Sequence, residues 1–337
     1  MAKAILLLSG GLDSTLAGKM LVDLGISVEA INFVSPFCNC SPKTLGCSAA
    51  KKAAEQLGIP VKVFSTGDEY IEIIKHPRFK RGSGMNPCLD CRIFIFSRAK
   101  KYMEDTGADF IVTGEVLGER PMSQHRGAME LIERESGLDG LILRPLSAQL
   151  FPPTKAELEN LVDRDKLLGI QGRCRKPQIE LAAKIGIDDF LCPAGGCLLT
   201  DLEFAARLRE LLKHKPDFGM NDLKLLKVGR HFRLPSGSKA VVGRDEMENC
   251  ILEKLGQDDD KLLLPLSNTG PSVLVRGHCT EEDLTYGSRF LAAYTKGGML
   301  MDVEISSRKL KENVLLTGIS PLDKDTIDAL WIGNLKD

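Results

Sequence analysis

Aromatic residues are scarce in this chain: one tryptophan and four tyrosines occur among 337 residues, and histidine occurs five times. Neither charge is in surplus, since 45 Lys and Arg stand against 46 Asp and Glu, a formal net charge of −1. That balance excludes a uniformly basic nucleic-acid binder and leaves any RNA contact to local patches. No apolar run approaches the ~20 residues that a membrane span needs. The first apolar stretch, Ala4 to Leu8, is one strand long and runs straight into Ser9-Gly10-Gly11. It lacks the basic start and long apolar segment of a secretion signal, so a cytoplasmic chain without membrane attachment is expected.

Cysteine, by contrast, is plentiful, with ten residues. In a reducing compartment these are expected to be free thiols, metal ligands or catalytic groups rather than disulfides. Seven fall in clusters: Cys38, Cys40 and Cys47; Cys88 and Cys91; Cys192 and Cys197. Cys174, Cys250 and Cys279 stand alone.

The first half alternates continuous apolar runs with amphipathic segments. Strands are expected at residues 4–8, 28–34, 61–64 and 110–113, with helices between them, among them 47–57 and 92–103. This pattern predicts an α/β domain: an open parallel sheet with helices on both faces and ligands beyond the carboxyl ends of its strands. Further helices are expected at 176–185 and 201–214. Pro216-Asp-Phe-Gly-Met-Asn-Asp222 breaks the pattern. The first domain is therefore taken as residues 1–215, and a smaller α+β domain as 222–337.

Ser9-Gly-Gly-Leu-Asp-Ser-Thr15 lies between the first strand and the first helix. Two glycines let the backbone turn tightly and bring N–H groups near an anion, and the helix start adds its positive dipole end. Ser14 and Thr15 are expected to add hydroxyl donors, and Asp13 to hold a magnesium ion that bridges phosphates. No Gly-Lys-Ser/Thr follows, so this is not a Walker A loop. The segment matches the Ser-Gly-Gly-x-Asp-Ser signature of the ATP pyrophosphatase (PP-loop) family. This resemblance implies an adenine nucleotide alpha hydrolase-like fold, cleavage of ATP between the α and β phosphates, and adenylation of a substrate.

Asn86-Pro-Cys-Leu-Asp-Cys91 places two thiols three positions apart at a helix start, a setting that favours thiolate. Cys192-Pro-Ala-Gly-Gly-Cys197 offers two more thiols in a glycine-rich loop. From spacing alone, four-thiolate zinc, a three-thiolate iron–sulfur cluster, a redox disulfide and plain packing all remain open. The stretch from Asn86 to Arg98, with Gly107-Ala-Asp-Phe-Ile-Val-Thr-Gly-Glu115, resembles bacterial tRNA 2-thiouridylases. That resemblance puts Cys91 and Cys197 at the family's two catalytic cysteines, with Cys88 replacing an aspartate and Glu115 a histidine. A Cys-x-x-Cys with a distant third cysteine also resembles iron–sulfur-dependent thiolation enzymes, including archaeal-type 4-thiouridine synthetases. This second resemblance implies a 4Fe-4S cluster on Cys88, Cys91 and Cys197, with Cys192 as the substitute third ligand. Cys38, Cys40 and Cys47 match no pattern with a mechanism and are left outside the core site.

Together these features predict an ATP-dependent tRNA sulfurtransferase. ATP would sit on Ser9, Gly10, Gly11, Asp13, Ser14 and Thr15, with its adenine near Asn32, Phe33 and Gly114. A uracil carbonyl oxygen would attack the α phosphorus with magnesium at Asp13, and sulfide or a Cys197 persulfide would then displace AMP. The expected sulfur source is free sulfide or a cysteine desulfurase. Arg120, Ser123 and Gln124 are lesser candidates for nucleotide or RNA contact. Basic runs flank both cysteine pairs: Lys75, His76, Arg78, Lys80 and Arg81; Arg92, Arg98, Lys100 and Lys101; Arg164, Lys166, Arg173, Arg175 and Lys176. They are read as a phosphate-tracking groove for tRNA.

Val228-Gly-Arg-His-Phe-Arg-Leu-Pro-Ser-Gly-Ser and the following Val242-Gly-Arg244 resemble the opening of the NFACT-R (DUF814) domain, which implies RNA association. Arg230, Arg233, Lys239 and Arg244 are then its expected phosphate contacts and Phe232 its base platform. The rival reading is a PP-loop synthetase or amidotransferase that adenylates a small carboxylate and holds zinc on Cys88 and Cys91.

Overall fold

The structure is a computed structural model that describes residues 2–38, 48–187, 197–266, 270–296, 301–306 and 314–333. Cys40, Cys47 and Cys192 lie outside the described residues. The chain divides into two compact units, Met1–Thr200 and Asp201–Asp337.

The first unit contains β1 (Lys3–Leu7), α1 (Leu12–Asp23), β2 (Ser27–Val34), α2 (Ser48–Leu57), β3 (Val61–Ser65), α3 (Glu69–Lys75), α4 (Cys88–Thr106) and β4 (Phe110–Thr113). It continues with α5 (Arg126–Ser136), β5 (Ile142–Leu143), α6 (Lys155–Leu158) and α7 (Lys176–Lys184). The five strands form one parallel sheet in the order β3-β2-β1-β4-β5. The central strand β1 is apolar at successive positions because both of its faces are covered. Leu6 packs with Ala17, Leu21 and Leu57 on one side, while Ile5 packs with Phe96, Ile111 and Ile142 on the other. Truncating a side chain buried this fully, such as Ile5→Ala, costs about 2–5 kcal/mol. The chain runs outward to β2 and β3 on one flank of β1 and to β4 and β5 on the other. The carboxyl ends of β1 and β4 therefore form the switch point, where a crevice opens in such sheets.

The second unit contains α8 (Leu202–His214), α9 (Met220–Leu225), β6 (Arg230–Arg233), β7 (Lys239–Val242), α10 (Glu246–Leu255), β8 (Lys261–Pro265) and β9 (Val273–Arg276). After these come α11 (Glu281–Tyr294), β10 (Met301–Ser306), β11 (Val314–Ile319) and α12 (Lys324–Leu330). Its six strands are antiparallel in the order β11-β10-β8-β9-β7-β6. Phe290 and Leu291 of α11 pack on Phe232, Val242, Leu263 and Val275 of the sheet. Helix α8, placed in the first domain on sequence grounds, sits in the second unit. The reason is a buried carboxylate: Glu210 of α8 pairs with Arg233 of β6 and, at 3.3 Å, with Lys239 of β7. Among the described residues, no helix is long and apolar enough to cross a membrane.

Candidate active site

The turn after β1 can be made only by glycine at position 10. Gly10 has φ of +79°, and a Cβ there would overlap the backbone of Ala49 and Ala50 at the start of α2. Within the loop, Ser9 Oγ lies 3.0 Å from Ser14 Oγ and accepts from the Gly11 N–H at 3.3 Å. The Ser14 and Thr15 hydroxyls, expected to face an anion, both donate to the Gly11 carbonyl at 3.0 Å. They brace the loop, and the first-turn N–H groups of α1, which have no acceptor inside a helix, are left to meet an anion. Asn32, expected beside adenine, is buried and donates from Nδ2 to the Leu8 carbonyl at 2.7 Å, buckling the loop to β2. Its Oδ1 is buried without a partner. Phe33 stacks on Phe64, with centroids 5.6 Å apart. Gly114 follows β4, and a Cβ there would overlap the Asp13 carbonyl and the Ser14 nitrogen. The end of β4 thus rests directly on the start of α1.

Asp13 gathers a polar set that the sequence scatters over more than 160 positions. Burial raises its pKa, while the nearby Arg175 and Arg120 charges pull it down. Asp13 Oδ1 is buried without a hydrogen-bond partner, and the fully buried Gln178 amide lies close enough to the carboxylate to lower its pKa. Glu119 is also raised, chiefly by burial and then by the Asp13 charge. Two carboxylates and two guanidiniums around an unsatisfied buried oxygen fit a divalent cation and phosphate oxygens, the groups that neutralise such charges. Gln124 belongs to the loop itself: it is buried, and its Oε1 accepts from the Arg120 N–H at 3.0 Å. Ser123 is buried as well.

Three segments bring thiols together. Cys88 and Cys91 lie in the first turns of α4, and Cys38 follows β2. Residues 197–200 form a strap in which the Leu198 N–H donates to the Phe37 carbonyl at 2.9 Å and the Met85 N–H donates to the Leu199 carbonyl at 2.8 Å. Gly84 is needed under this strap, because a Cβ there would overlap the Leu199 carbonyl. Cys197 is thereby tied to the segments that carry the other three thiols, and the charges of Cys91, Cys38 and Cys88 all act on it. Cys38, left outside the core site from sequence, belongs to this neighbourhood.

The expected thiolate character is not found. Burial pushes Cys197 up to about 12 and raises Cys91, against the lowering effects of the Tyr70 hydroxyl and the Arg92 charge. Desolvation outweighs the helix start here. Among the described residues, no three His, Cys, Asp or Glu side chains form a group able to hold a single metal ion. A lone zinc draws its thiolates in to Zn–S distances of about 2.3 Å. An all-thiol set is donor chemistry shared by zinc and by iron–sulfur clusters.

Glu115, whose position differs from the thiouridylase pattern, is 2% exposed and bridges two arginines. It lies 3.2 Å from Arg92 and 3.3 Å from Arg144, and Arg144 also pairs with Glu133. The dipeptide Gly114-Glu115 therefore touches Asp13 on one side and, on the other, holds the arginine next to Cys91. Sequence reasoning missed this because Arg144 and Glu133 carry no motif.

The basic runs are partly paired. Arg78 bonds Glu135 at 2.7 Å, Arg98 pairs with Glu69, and Arg164 pairs with Glu157. Their acids come from other elements, so local sequence overstated the free positive charge. In the second unit Phe232 is 1% exposed and packs on Phe290, which rules it out as a base platform. Arg233 and the buried Lys239 are tied to Glu210, and Arg244 is gripped by Glu248 at 2.9 and 3.0 Å. Of the four expected phosphate contacts, Arg230 alone makes no ion pair among the described residues; its guanidinium lies over the Tyr294 ring.

Residues 1–158 match the family profile for thiamine biosynthesis protein (ThiI), and residues 229–332 that for the NFACT protein RNA binding domain. The N-terminal half carries a ThiI-family domain. The C-terminal unit carries an NFACT-type RNA-binding domain. Over 149 residues the chain is 32% identical to the probable tRNA sulfurtransferase of Staphylococcus aureus (strain MRSA252), covering 43% of this chain and 34% of that protein. Over 122 residues it is 32% identical to the tRNA-specific 2-thiouridylase MnmA of Sulfurimonas denitrificans, covering 35% of this chain and 36% of that protein. The chain thus spans about a third of the length of these curated relatives. Among solved structures, a 4-thiouridine synthetase–RNA complex with bound ATP aligns at a TM-score of 0.38 and 22% identity, over 66% of this chain and 52% of that one. The U34-tRNA thiolase NcsA of Methanococcus maripaludis with its 4Fe-4S cluster aligns at 0.34 and 18%, over 67% and 70%. The ThiI-family domain contains the phosphate loop, Gly114-Glu115 and the Cys88–Cys91 pair; Cys197 lies beyond the matched residues.

Proposed function

We propose that this chain is an ATP-dependent tRNA sulfurtransferase that converts a uridine to thiouridine. The observation that carries the reading is Gly114-Glu115, which joins the phosphate loop to the thiol neighbourhood within one unit. Activation and sulfur delivery then occur within reach of one substrate base.

ATP binds with its phosphates at the first-turn N–H groups of α1, braced by Ser9, Ser14 and Thr15, and the Gly10 backbone approaches it closely. The uracil carbonyl oxygen attacks the α phosphorus, the α–β bridging bond breaks, and pyrophosphate leaves. Arg120 and Arg175 offset the charge that gathers on the departing group, and Asp13 with Glu119 would hold magnesium there. Sulfide then adds to the adenylated carbon and AMP departs with the former carbonyl oxygen, leaving the thiocarbonyl. Cys88, Cys91 and Cys197 would hold a 4Fe-4S cluster, which supplies an open iron for the incoming sulfide. The target base has to leave its stack to reach such a site. Free sulfide or a cysteine desulfurase is the source.

Nucleoside mass spectrometry of tRNA from a deletion strain tests the reading: one thiouridine species should vanish and return on complementation. Anaerobically purified protein should contain iron and acid-labile sulfide. Unchanged thionucleosides with zinc as the sole metal would instead favour a PP-loop synthetase acting on a carboxylate.

A further inference from the structure

The second unit holds a cleft that no step above uses. Its volume is about 290 Å³, and its lining includes Arg207 of α8, Arg230 of β6, Arg244, Tyr294 of α11 and Trp331 after α12. Trp331 is the chain's single tryptophan. Arg207 is nine-tenths buried; it donates to the Leu226 carbonyl at 3.2 Å and to Glu203 at 3.2 Å, and its Nε–H is buried with no acceptor. Arg230 sits 4.7 Å from the Tyr294 ring centroid. An unsatisfied guanidinium N–H, an arginine without an acid partner and an indole on one wall are an incomplete set. A phosphate and a flat base would complete it.

We propose that this cleft binds one nucleotide unit of an RNA strand, with its phosphate on Arg230 and the Arg207 Nε–H and its base on Trp331. The assignment deepens the RNA-binding character of this unit. Size limits the ligand, because the cleft lies at the small end of the roughly 300–1,000 Å³ found for ligand pockets and has no room for a dinucleotide. Charge limits it too. Glu203 partners Arg207, Glu248 partners Arg244, and the exposed Asp328 shares the cleft with Arg230, so the lining is close to neutral and Arg230 is, among the described residues, its one arginine outside an ion pair. A near-neutral lining with one unpaired arginine suits a single phosphodiester and disfavours the several charges of a triphosphate, which separates this site from the ATP site of the first unit. The exposed carboxylates of Glu203 and Asp328 also line the cleft and are acceptors suited to a ribose 2′-hydroxyl or a base amino group.

Trp331 is its own reporter. Titrating the full chain with a single-stranded RNA octanucleotide at low salt should quench its fluorescence saturably. Arg230→Ala should weaken that binding about tenfold and reduce the salt slope by about one phosphate. Arg230→Lys should retain most of the affinity and serves as the folding control. ATP should quench less than the RNA at equal concentration. Saturation by UMP as tight as by the octanucleotide would make the ligand a free nucleotide and overturn the proposal, as would unquenched Trp331 while filter binding still detects tRNA. Loss of all tRNA binding by the wild-type chain would instead remove the RNA-binding reading of the unit.

Discussion

Replacing Glu115 by glutamine keeps the side-chain shape and removes one charge from the centre of the Arg92–Glu115–Arg144–Glu133 network. Arg144 is 4% exposed and keeps Glu133, whereas Arg92, 25% exposed, loses its partner. Removing one member of a buried ion pair typically costs about 3–5 kcal/mol, because the remaining charge stays desolvated. Partial access of water to Arg92 places the expected loss near the lower bound, about 3 kcal/mol. With a urea m-value of about 2–3 kcal/mol/M, the first unit's transition should move down by roughly 1–1.5 M. Hydrogen exchange should show where: peptides covering α4 and the end of β4 should exchange on the order of 100-fold faster. Pairing Glu115→Gln with Arg92→Met should recover part of the loss, since the double variant leaves no orphaned guanidinium at that position. If the single variant shifts stability by less than 1 kcal/mol, or if faster exchange appears away from α4 and β4, Glu115 is not what holds Arg92 beside Cys91.

Gly10→Ala should cost about 1–2 kcal/mol in left-handed strain and a further 1–3 kcal/mol from overlap with α2, with ATP affinity falling in calorimetry. Cys197→Ser should lower iron per chain and visible absorbance after anaerobic purification, while Cys174→Ser, at an exposed position outside the three cysteine clusters, leaves both unchanged. Lys239, buried beside Glu210, titrates at about 8 in the fold instead of 10.5. The unfolded chain therefore binds more protons between those values, and stability of the second unit should rise as pH increases through that window. Lys239→Met should flatten this rise in pH-dependent urea unfolding; an unchanged slope would assign it to another group.

The parallel sheet of the first unit could be read directly. Its strands β1 and β4 are short apolar runs buried on both faces, and a pattern of that kind is local, so residues 110–113 were bounded correctly and β1 within a residue or two. The phosphate loop was equally plain, because a Gly-rich turn between strand and helix needs its residues in sequence. Neighbours along the chain could not reveal what closes around that loop. Gln178, Arg175 and Arg120 meet Asp13 only when α7 and the segment after β4 fold against α1. Cys38 meets the other thiols through segments far apart in sequence, among them the strap at 197–200, whose backbone bonds carry no residue signature. Phe232, which is buried, reads as a base platform in the sequence for a similar reason. An aromatic residue in a strand looks the same whether its face meets solvent or α11, and that face is set by which helix packs on the sheet. Composition and short-range spacing specify elements and loops, whereas burial and charge pairing depend on partners supplied by distant parts of the chain.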